Sequence, residues 1–372
     1  MAKKTDLRPL DGIAPPDQWS DIDRRRPNSM SPSPHRQRTR TRLATVAIAL
    51  LIAVGGLVFL ATAFRRGPTA PVASDQPTTA PTPRELVAFV TSSSRIAVVS
   101  PDGSGERVLT TGDEGGAAAS VGSSHVLDQS PQWSVDGSAI YFVRVVRDAT
   151  WLCKIRADGS DFQVVTQHLD GGHIVASPDG ESLAFDGNDG KLHVMRVDGL
   201  PVDIPVAHVA RSGPFMWGPD RPAWSPDGSE IAFAGPADGT GRCGNDGCAL
   251  WVMNVASGQL WNLTADRPSE NVVSVVWAPD DQVIYSSVDL SGSDGAPPLK
   301  LWTTNRDGSG RRELPSGGRI IPVTYSPDGS ALLVGRYGPF PFVDNRGLFI
   351  VDGSVVRPLV SDAVSAFGDW RA

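Results

Sequence analysis

The sequence predicts an all-β fold, a six-bladed β-propeller closed by a C-terminal strand and preceded by one N-terminal transmembrane α-helix. Three observations support this fold: a long uncharged stretch near the N-terminus, five copies of one short motif, and a C-terminal segment that matches a strand missing from the first repeat. They divide the chain into a disordered tail at 1–42, a transmembrane helix at 43–64, a Pro/Thr-rich linker at 65–83 and the propeller at 84–372.

The predicted transmembrane helix, residues 43–64, contains 22 residues and no charge. A helix that rises about 1.5 Å per residue needs roughly 20 apolar residues to cross a bilayer. The alternative is a cleaved signal peptide, because Ala61-Thr62-Ala63 resembles a cleavage site. The segment is longer than the apolar region of a signal peptide, which spans roughly 7–15 residues. The sequence therefore favours an uncleaved anchor.

The charges on either side of this helix predict its orientation. Residues 1–42 carry ten Lys and Arg against five Asp and Glu, whereas only Arg65 and Arg66 follow the helix closely. Since positive residues stay on the cytoplasmic side, we expect a cytoplasmic N-terminus and an extracytoplasmic propeller in the cell membrane. Residues 67–372 carry a net charge of −14, which argues against nucleic acid as a partner.

An internal repeat predicts the propeller. Each copy begins with an apolar or aromatic residue, continues with Ser-Pro-Asp-Gly or a variant of it, and ends with a short alternating strand. The copies lie around Asp136, Asp179, Asp227, Asp280 and Asp328. A second hairpin with an Asp-Gly or Ser-Gly turn follows each copy. Two tight hairpins per repeat make a four-stranded sheet, and a repeat of roughly 40–50 residues with four strands is typical of a propeller blade.

The two ends of the repeat region predict how the ring closes. The first unit begins with Leu86-Val-Ala-Phe89 and lacks its innermost strand, whereas the chain ends with Phe367-Gly-Asp-Trp370. Trp370 matches the position held by Trp133 and Trp224 in other copies. The missing strand should therefore come from the C-terminus, which gives six blades and removes both open sheet edges.

These Ser-Pro-Asp-Gly and Asp-Gly-Ser-Gly patterns resemble the WD40-like (PD40) repeats of TolB-like β-propellers. The resemblance covers about residues 84–372. It implies the fold and leaves the function open, because this fold serves scaffolds, peptide-binding modules and enzymes. TolB-like proteins carry a small α/β domain before the propeller, whereas this chain has a predicted anchor and linker.

The long loops predict where a partner binds. The first-to-second and third-to-fourth strand turns of each blade are short, whereas the other loops include 111–130, 204–221, 234–249, 286–298 and 335–346. These loops share one face, where we expect a protein or peptide ligand at the loops and the channel mouth. The alternative is that their large side chains only fill gaps between blades. The candidate contact residues are Phe215, Trp217, Arg336, Tyr337, Phe340, Arg144 and Arg147.

The cysteines predict a disulfide and no metal site. Cys243 and Cys248 share one loop, and in an exported domain they should form a disulfide. Zinc is a weaker interpretation, because two thiols without a nearby His make an incomplete site. The segment 186–190 resembles a calcium loop, but its spacing fits a hairpin turn instead. No metal or other cofactor is expected.

Enzyme motifs do not occur in the sequence. It contains no Gly-x-Ser-x-Gly nucleophile elbow, phosphate-binding loop or dinucleotide fingerprint. We therefore expect a binding or scaffolding module that is not an enzyme. The alternative is a six-bladed hydrolase or sugar oxidoreductase that uses carboxylates or a metal in its channel.

The tail contains one segment that differs from its polar surroundings. Asp17 is suited to cap a short helix that places Trp19 and Ile22 on one side. This start resembles those of some actinobacterial membrane proteins, including anti-sigma-like ones. It predicts a docking motif for a cytoplasmic protein. The alternative is a solvated tail whose Arg residues only set the topology.

Overall fold

The computed structural model contains antiparallel strands, their turns and one 3₁₀ turn at Glu114–Gly116 in the part of the chain that it describes. That part comprises residues 85–116, 126–147, 149–202, 204, 207, 221–239, 243, 247–291, 298–314, 320–336, 346–352 and 355–371. Within it, no helix is both long enough and apolar enough to cross a membrane. The predicted tail, transmembrane helix and linker lie outside the described residues.

Four sheets are simple four-stranded units in chain order, which we call blades 2 to 5. Blade 2 contains β4 (Val126–Trp133), β5 (Ala139–Val146), β6 (Ala149–Arg156) and β7 (Gln163–Thr166). Blade 3 contains β8 (Gly171–Ala176), β9 (Ser182–Gly187), β10 (Leu192–Arg196) and β11 (Pro201–Val202). Blade 4 contains β12 (Ala223–Trp224), β13 (Glu230–Pro236), β14 (Cys248–Asn254) and β15 (Leu260–Asn262). Blade 5 contains β16 (Glu270–Trp277), β17 (Gln282–Asp289), β18 (Lys300–Asn305) and β19 (Arg312–Leu314).

The fifth sheet has seven strands and joins the two ends of the repeat region. Its order is β20-β21-β22-β23-β1-β2-β3. The strands are β20 (Ile320–Tyr325), β21 (Ala331–Arg336), β22 (Arg346–Asp352), β23 (Val355–Arg371), β1 (Leu86–Thr91), β2 (Ile96–Val99) and β3 (Arg107–Val108). Because β23 pairs with both β22 and β1, this sheet divides into two four-stranded units, blade 6 and blade 1.

The register of β23 agrees with the predicted closure. Its first part pairs with β22, from Asp352↔Val355 to Arg346↔Val364. Its last part pairs with β1, where Val87 faces Trp370 and Phe89 faces Gly368. Trp370 thus lies beside the strand that contains Phe89, as the sequence predicted. The C-terminal residues supply the innermost strand of the first unit.

Six large clusters of the hydrophobic core each lie between two consecutive blades, and two smaller clusters lie within blade 2 and between blades 5 and 6. One example joins blades 5 and 6 through Ile284, Leu301 and Leu332, and another joins blades 6 and 1 through Leu333 and Phe89. The other four join blades 1 and 2, 2 and 3, 3 and 4, and 4 and 5. The first strands of successive blades also contact one another all the way round. The units therefore surround a common axis, which is the arrangement of a β-propeller.

The repeated motif forms the turn between the first two strands of a blade. In blade 2 the Gly137 N–H donates to the Ser134 carbonyl at 2.7 Å, and the Ser134 hydroxyl donates to Asp136 at 2.6 Å. Gly137 has a φ of +63°, a conformation that costs glycine little. In blade 5 the matching residue is Asp281, which holds a φ of +72° without being glycine.

The two faces of the propeller differ in their connections. The short turns, such as 134–138 and 177–181, lie on one face, which we call the turn face. At the opposite face, which we call the loop face, lie the strand ends that the longer chain intervals join, including the intervals 109–125, 203–222 and 337–345. Strand β1 begins at the turn face, just after Glu85, and β23 ends there at Arg371. The chain therefore enters the propeller on the face opposite the long loops.

Candidate functional site

The central channel contains a cavity of about 200 Å³ on the turn-face side of the axis. Residues from the innermost strands of all six blades line it. Most of this lining is apolar or backbone. The polar side chains of the lining are Gln132, Arg221, Ser274, Thr324 and Asp369.

Arg221 crosses the channel from blade 4 to the opposite blade. It lies just before β12, and its Nη1 donates to the carbonyl oxygen of Gly368 in blade 1 at 3.2 Å. The side chain is buried, and burial lowers the pKa of the Arg221 guanidinium, while the charge of Asp369 opposes this shift. The guanidinium thus ties two opposite blades together and limits passage along the axis.

Asp369 is the carboxylate that faces this arginine. Its Oδ2 accepts a hydrogen bond from the backbone N–H of Trp133 at 2.8 Å, which links blade 1 to blade 2. The carboxyl group is partly open to the cavity but enclosed by the six innermost strands. Burial raises the pKa of Asp369 to about 6, against the opposing effects of the Trp133 N–H and the Arg221 charge. The channel therefore holds an acid that titrates near neutral pH.

A second cavity, of about 290 Å³, lies at the loop-face end of blade 5, and we call it the blade-5 pocket. Its centre is Trp302 on β18. The guanidinium carbon of Arg311 lies 3.7 Å from the Trp302 ring centroid, and Arg311 Nη2 lies 2.6 and 2.7 Å from the two oxygens of Glu270. Ser287 donates to Glu270 at 2.5 Å and accepts from the indole N–H of Trp302 at 3.0 Å. These four side chains form one connected network of hydrogen bonds and ring stacking.

Two more cations line the open side of the blade-5 pocket. The Lys300 Nζ lies 5.5 Å and the Arg267 guanidinium carbon 5.9 Å from the Trp302 ring centroid. Both side chains are partly exposed, and their ion pairs are with the exposed acids Glu313 and Asp266. Such exposed pairs contribute little to stability. The pocket therefore presents positive groups and an aromatic ring to solvent.

Arg144 was expected to be a surface contact, and the structure corrects this prediction. It is a β5 residue with a fully buried side chain, paired with Asp128 through an Nε–Oδ1 distance of 2.6 Å. Its Nη1 and Nη2 also donate to the backbone carbonyl and side chain of Glu114, at 2.7 and 2.9 Å. Burial raises the pKa of the Glu114 carboxyl, but hydrogen bonds from Thr111 and Arg144 lower it further, to about 2. Arg144 is buried because this ion-pair network satisfies its charge inside blade 2.

The prediction that Arg336 is an exposed contact residue is corrected in the same way. Arg336 ends β21, where it pairs with Ile320, and its side chain is buried. Arg147 lies at the turn between β5 and β6, with an exposed side chain and a φ of +55°. The predicted residues Phe215, Trp217, Tyr337, Phe340, Trp19 and Ile22 lie outside the described residues.

The cysteines differ in their environments. Cys243 and Cys248 form a disulfide that closes the segment before β14. Cys248 also donates its backbone N–H to Asn271 of blade 5 at 2.8 Å. Cys153 is a buried thiol on β6, and burial raises its pKa to about 12. Over the described ranges, no three His, Cys, Asp or Glu side chains come together as metal ligands.

Sequence reasoning missed the two cavities. The residues of the blade-5 pocket extend from Asp266 to Arg311 along the chain, and no short motif contains them. For the channel a signal existed. The residue before the tryptophan is Asp369 in the last copy, whereas it is Gln132, Ala223 and Val276 in others. Aligning the copies would have shown one carboxylate at a position that lines the axis.

The fold resembles solved β-propellers of low sequence identity. TolB from Acinetobacter baumannii matches with a TM-score of 0.53 and 16% identity, covering 77% of this chain and 66% of that one. A putative TolB from Agrobacterium tumefaciens gives 0.50 and 17%, covering 78% and 99%. A chain of a nidogen/laminin complex gives 0.50 and 9%, covering 72% and 89%. No protein-family model and no curated protein matches the sequence. The likeness shows a TolB-like β-propeller fold.

Proposed function

We propose that the protein is a single-pass protein of the cell membrane whose six-bladed propeller lies outside the cytoplasm. In this proposal the propeller is a protein- or peptide-binding or scaffolding module, without catalysis or cofactor, and the loop face is its contact surface. A cytoplasmic protein is a second partner, through Trp19 and Ile22 of the tail. The anchor is the uncharged segment 43–64, and the preceding arginines set its orientation.

The observation that carries the binding proposal is the difference between the two faces. The turn face consists of short turns closed by their own hydrogen bonds, such as Gly180 N–H to the Ser177 carbonyl at 2.9 Å. The loop face carries the long connections and the blade-5 pocket. Binding residues concentrate on loops held by a rigid scaffold. One similar fold comes from a complex of nidogen with laminin, so this architecture is compatible with protein recognition.

The test uses one exposed apolar residue on each face. Leu290, on the loop face, is 42% exposed, and Val135, in a turn of the opposite face, is 63% exposed. We would place Leu290→Cys and Val135→Cys separately in the full chain and treat intact cells with a membrane-impermeant maleimide crosslinker. Cys243 and Cys248 are in a disulfide and Cys153 is buried, so the introduced thiol is the accessible one in the described part of the propeller.

We expect both thiols to react from outside the cell, and only Leu290→Cys to crosslink to another protein. Labelling of neither thiol before lysis would overturn the extracytoplasmic placement. Crosslinking of Val135→Cys alone would move the contact surface to the turn face. These two outcomes separate the location of the propeller from the choice of its binding face.

The enzymatic alternative rests on the channel. Asp369 is the acidic side chain of the described cavity lining, and its pKa of about 6 suits proton transfer near neutral pH. Its carboxylate is also the hydrogen-bond partner of the Trp133 backbone, which gives it a role in joining two blades. We favour the binding function, because the structural role already accounts for this residue.

A further inference from the structure

The blade-5 pocket contains hydrogen-bond donors without partners. Among the described residues, Arg311 Nε and Nη1 are buried atoms with no hydrogen-bond partner, and so is the hydroxyl of Tyr285. The two residues adjoin, since the Arg311 guanidinium carbon lies 5.6 Å from the Tyr285 ring centroid. Buried donors without acceptors are rare in proteins and call for a specific explanation. The site therefore lacks a hydrogen-bond acceptor for these donors.

Blade 2 shows how the same protein satisfies another buried guanidinium, that of Arg144 on its second strand. Arg144 stacks against the Phe162 ring at 4.9 Å and has two acidic partners. Asp128 belongs to the first strand of the blade, and Glu114 belongs to the segment between β3 and β4. The guanidinium is thus held between two carboxylates. No buried donor of Arg144 is left without a partner.

In blade 5 only one of these two carboxylates is present. Glu270 holds Arg311 from the first strand, as Asp128 holds Arg144, although Arg144 belongs to the second strand of its blade and Arg311 lies just before the fourth. The segment between β15 and β16 corresponds to the one that supplies Glu114. Its residues at the pocket include the cation Arg267, which lies over the same indole ring. The guanidinium of blade 2 thus has two acidic partners, whereas that of blade 5 has one acidic partner and a neighbouring cation.

From this comparison we infer that the blade-5 pocket binds a carboxylate group of a partner molecule, contacted by Arg267, Lys300 and Arg311 around Trp302. The inference rests on the proposed binding function and names the chemistry that the loop face recognises. Three acids, Asp266, Glu270 and Asp289, balance these three cations. Selection therefore comes from geometry and not from net charge: a planar carboxylate matches the guanidinium fork of Arg267 in two parallel hydrogen bonds, whereas Arg311 Nη2 is already held by Glu270.

The test measures binding of defined probes to the purified full chain by calorimetry. The carboxylate probes are N-acetylglutamate, a glycine-rich peptide with one central Glu and an amidated C-terminus, and a glycine-only peptide with a free C-terminus. The controls are the same peptide with Gln in place of Glu and inorganic phosphate. The three carboxylate probes distinguish a small molecule, an acidic side chain and a chain end as the source of the group.

The first variants change side chains at the open side of the pocket, where a loss of binding is not confused with a loss of folding. Arg267→Ala and Lys300→Ala remove partly exposed side chains and should leave the fold intact. The matched control is Arg156→Ala, an exposed arginine near the turn face whose ion pair with Asp161 is also at the surface. A double variant, Arg311→Gln with Glu270→Gln, removes the buried pair without leaving one charge unpaired.

We expect at least one carboxylate probe to bind and the Gln peptide not to bind. Arg267→Ala and Lys300→Ala should each weaken binding about tenfold, the double variant should abolish it, and Arg156→Ala should leave it unchanged. The inference is overturned if the Gln peptide or phosphate binds at least as tightly, if Arg156→Ala weakens binding equally, or if no probe binds. The last result would leave water as the partner of Arg311. If Leu290→Cys still crosslinks in that case, the binding function stands and only the carboxylate assignment fails.

Discussion

Asp369 shows how one residue sets the chemistry of the propeller axis. It belongs to the strand that closes the ring, accepts the Trp133 N–H, and faces the buried cation Arg221. Enclosure of the carboxylate raises its pKa to about 6, although both of these neighbours stabilise the charged form. The loss of hydration therefore raises the pKa of Asp369 more than the Trp133 N–H and the Arg221 charge together lower it.

The raised pKa predicts how stability depends on pH. A carboxyl group whose pKa is about 6 in the folded state and about 4 in the unfolded state binds more protons when folded. Its contribution is complete below the unfolded pKa and is lost as the pH rises through 6. We expect the temperature of the unfolding midpoint to decrease as the pH is raised from 5 to 7. Asp369→Asn should remove about 1 kcal/mol of the stability that the protein loses over this interval.

Asp179 provides the control for this prediction. It lies in a turn of blade 3, where a hydrogen bond from Ser177 lowers the pKa of its carboxyl. Its contribution to stability is present above the unfolded pKa and is lost only at lower pH. Asp179→Asn should therefore leave the slope between pH 5 and pH 7 unchanged, as measured by circular dichroism. An unchanged slope in Asp369→Asn would show that the channel carboxylate is hydrated like a surface one.

At the scale of elements, β23 determines whether the ring is closed. It is the only described strand that belongs to two blades, because its first part pairs with β22 and its last part with β1. Arg357 in its first part also donates to the Pro101 carbonyl of blade 1. Without its last part, β1 would present an open edge and the core between blades 1 and 6 would be exposed to water.

Two substitutions in β23 test this role. Trp370 is buried against Val87 and Val99 in the core between blades 6 and 1, whereas Val355 is 57% exposed in the other half of the strand. We expect Trp370→Ala to destabilise the protein by about 3 kcal/mol and Val355→Ala by less than about 0.5 kcal/mol. Urea unfolding followed by circular dichroism measures both. Equal effects would mean that the closing part of the strand contributes no more than its exposed half.

The elements were predictable from sequence to the extent that local chemistry defines them. The Ser-Pro-Asp-Gly turn carries its own hydrogen bonds, so its position could be read directly, as at Ser326 and Asp328. The closing strand could be inferred because Trp370 repeats a position seen in earlier copies. Contacts that join distant parts of the chain leave no such local pattern. The ion pair of Arg144 with Asp128 lies across two strands of one blade, and nothing in the sequence around Arg144 indicated its burial.

At the scale of the whole molecule, the two faces of the propeller differ in what they contain. The turn face contains both Glu85, where the chain enters, and Arg371, where β23 ends. The long connections and the blade-5 pocket lie at the opposite end of the strands. The sequence predicted this division from loop lengths alone. It could not predict which residues of the loop face come together, because Glu270, Trp302 and Arg311 meet only through the pairing of β16 to β19.

The proposed cytoplasmic contact is independent of the propeller, and this independence is testable. Trp19 and Ile22 are large apolar residues of a tail that is mostly polar. If they anchor a cytoplasmic protein, Trp19→Ala with Ile22→Ala in the full chain should abolish its copurification, since large apolar anchors carry most of the energy of such contacts. Gln18→Ala is the matched control in the same segment. The external crosslink of Leu290→Cys should persist in the double variant, because the two contacts use separate parts of the chain. Copurification of the same cytoplasmic proteins with both variants would leave the tail with only its role in membrane topology.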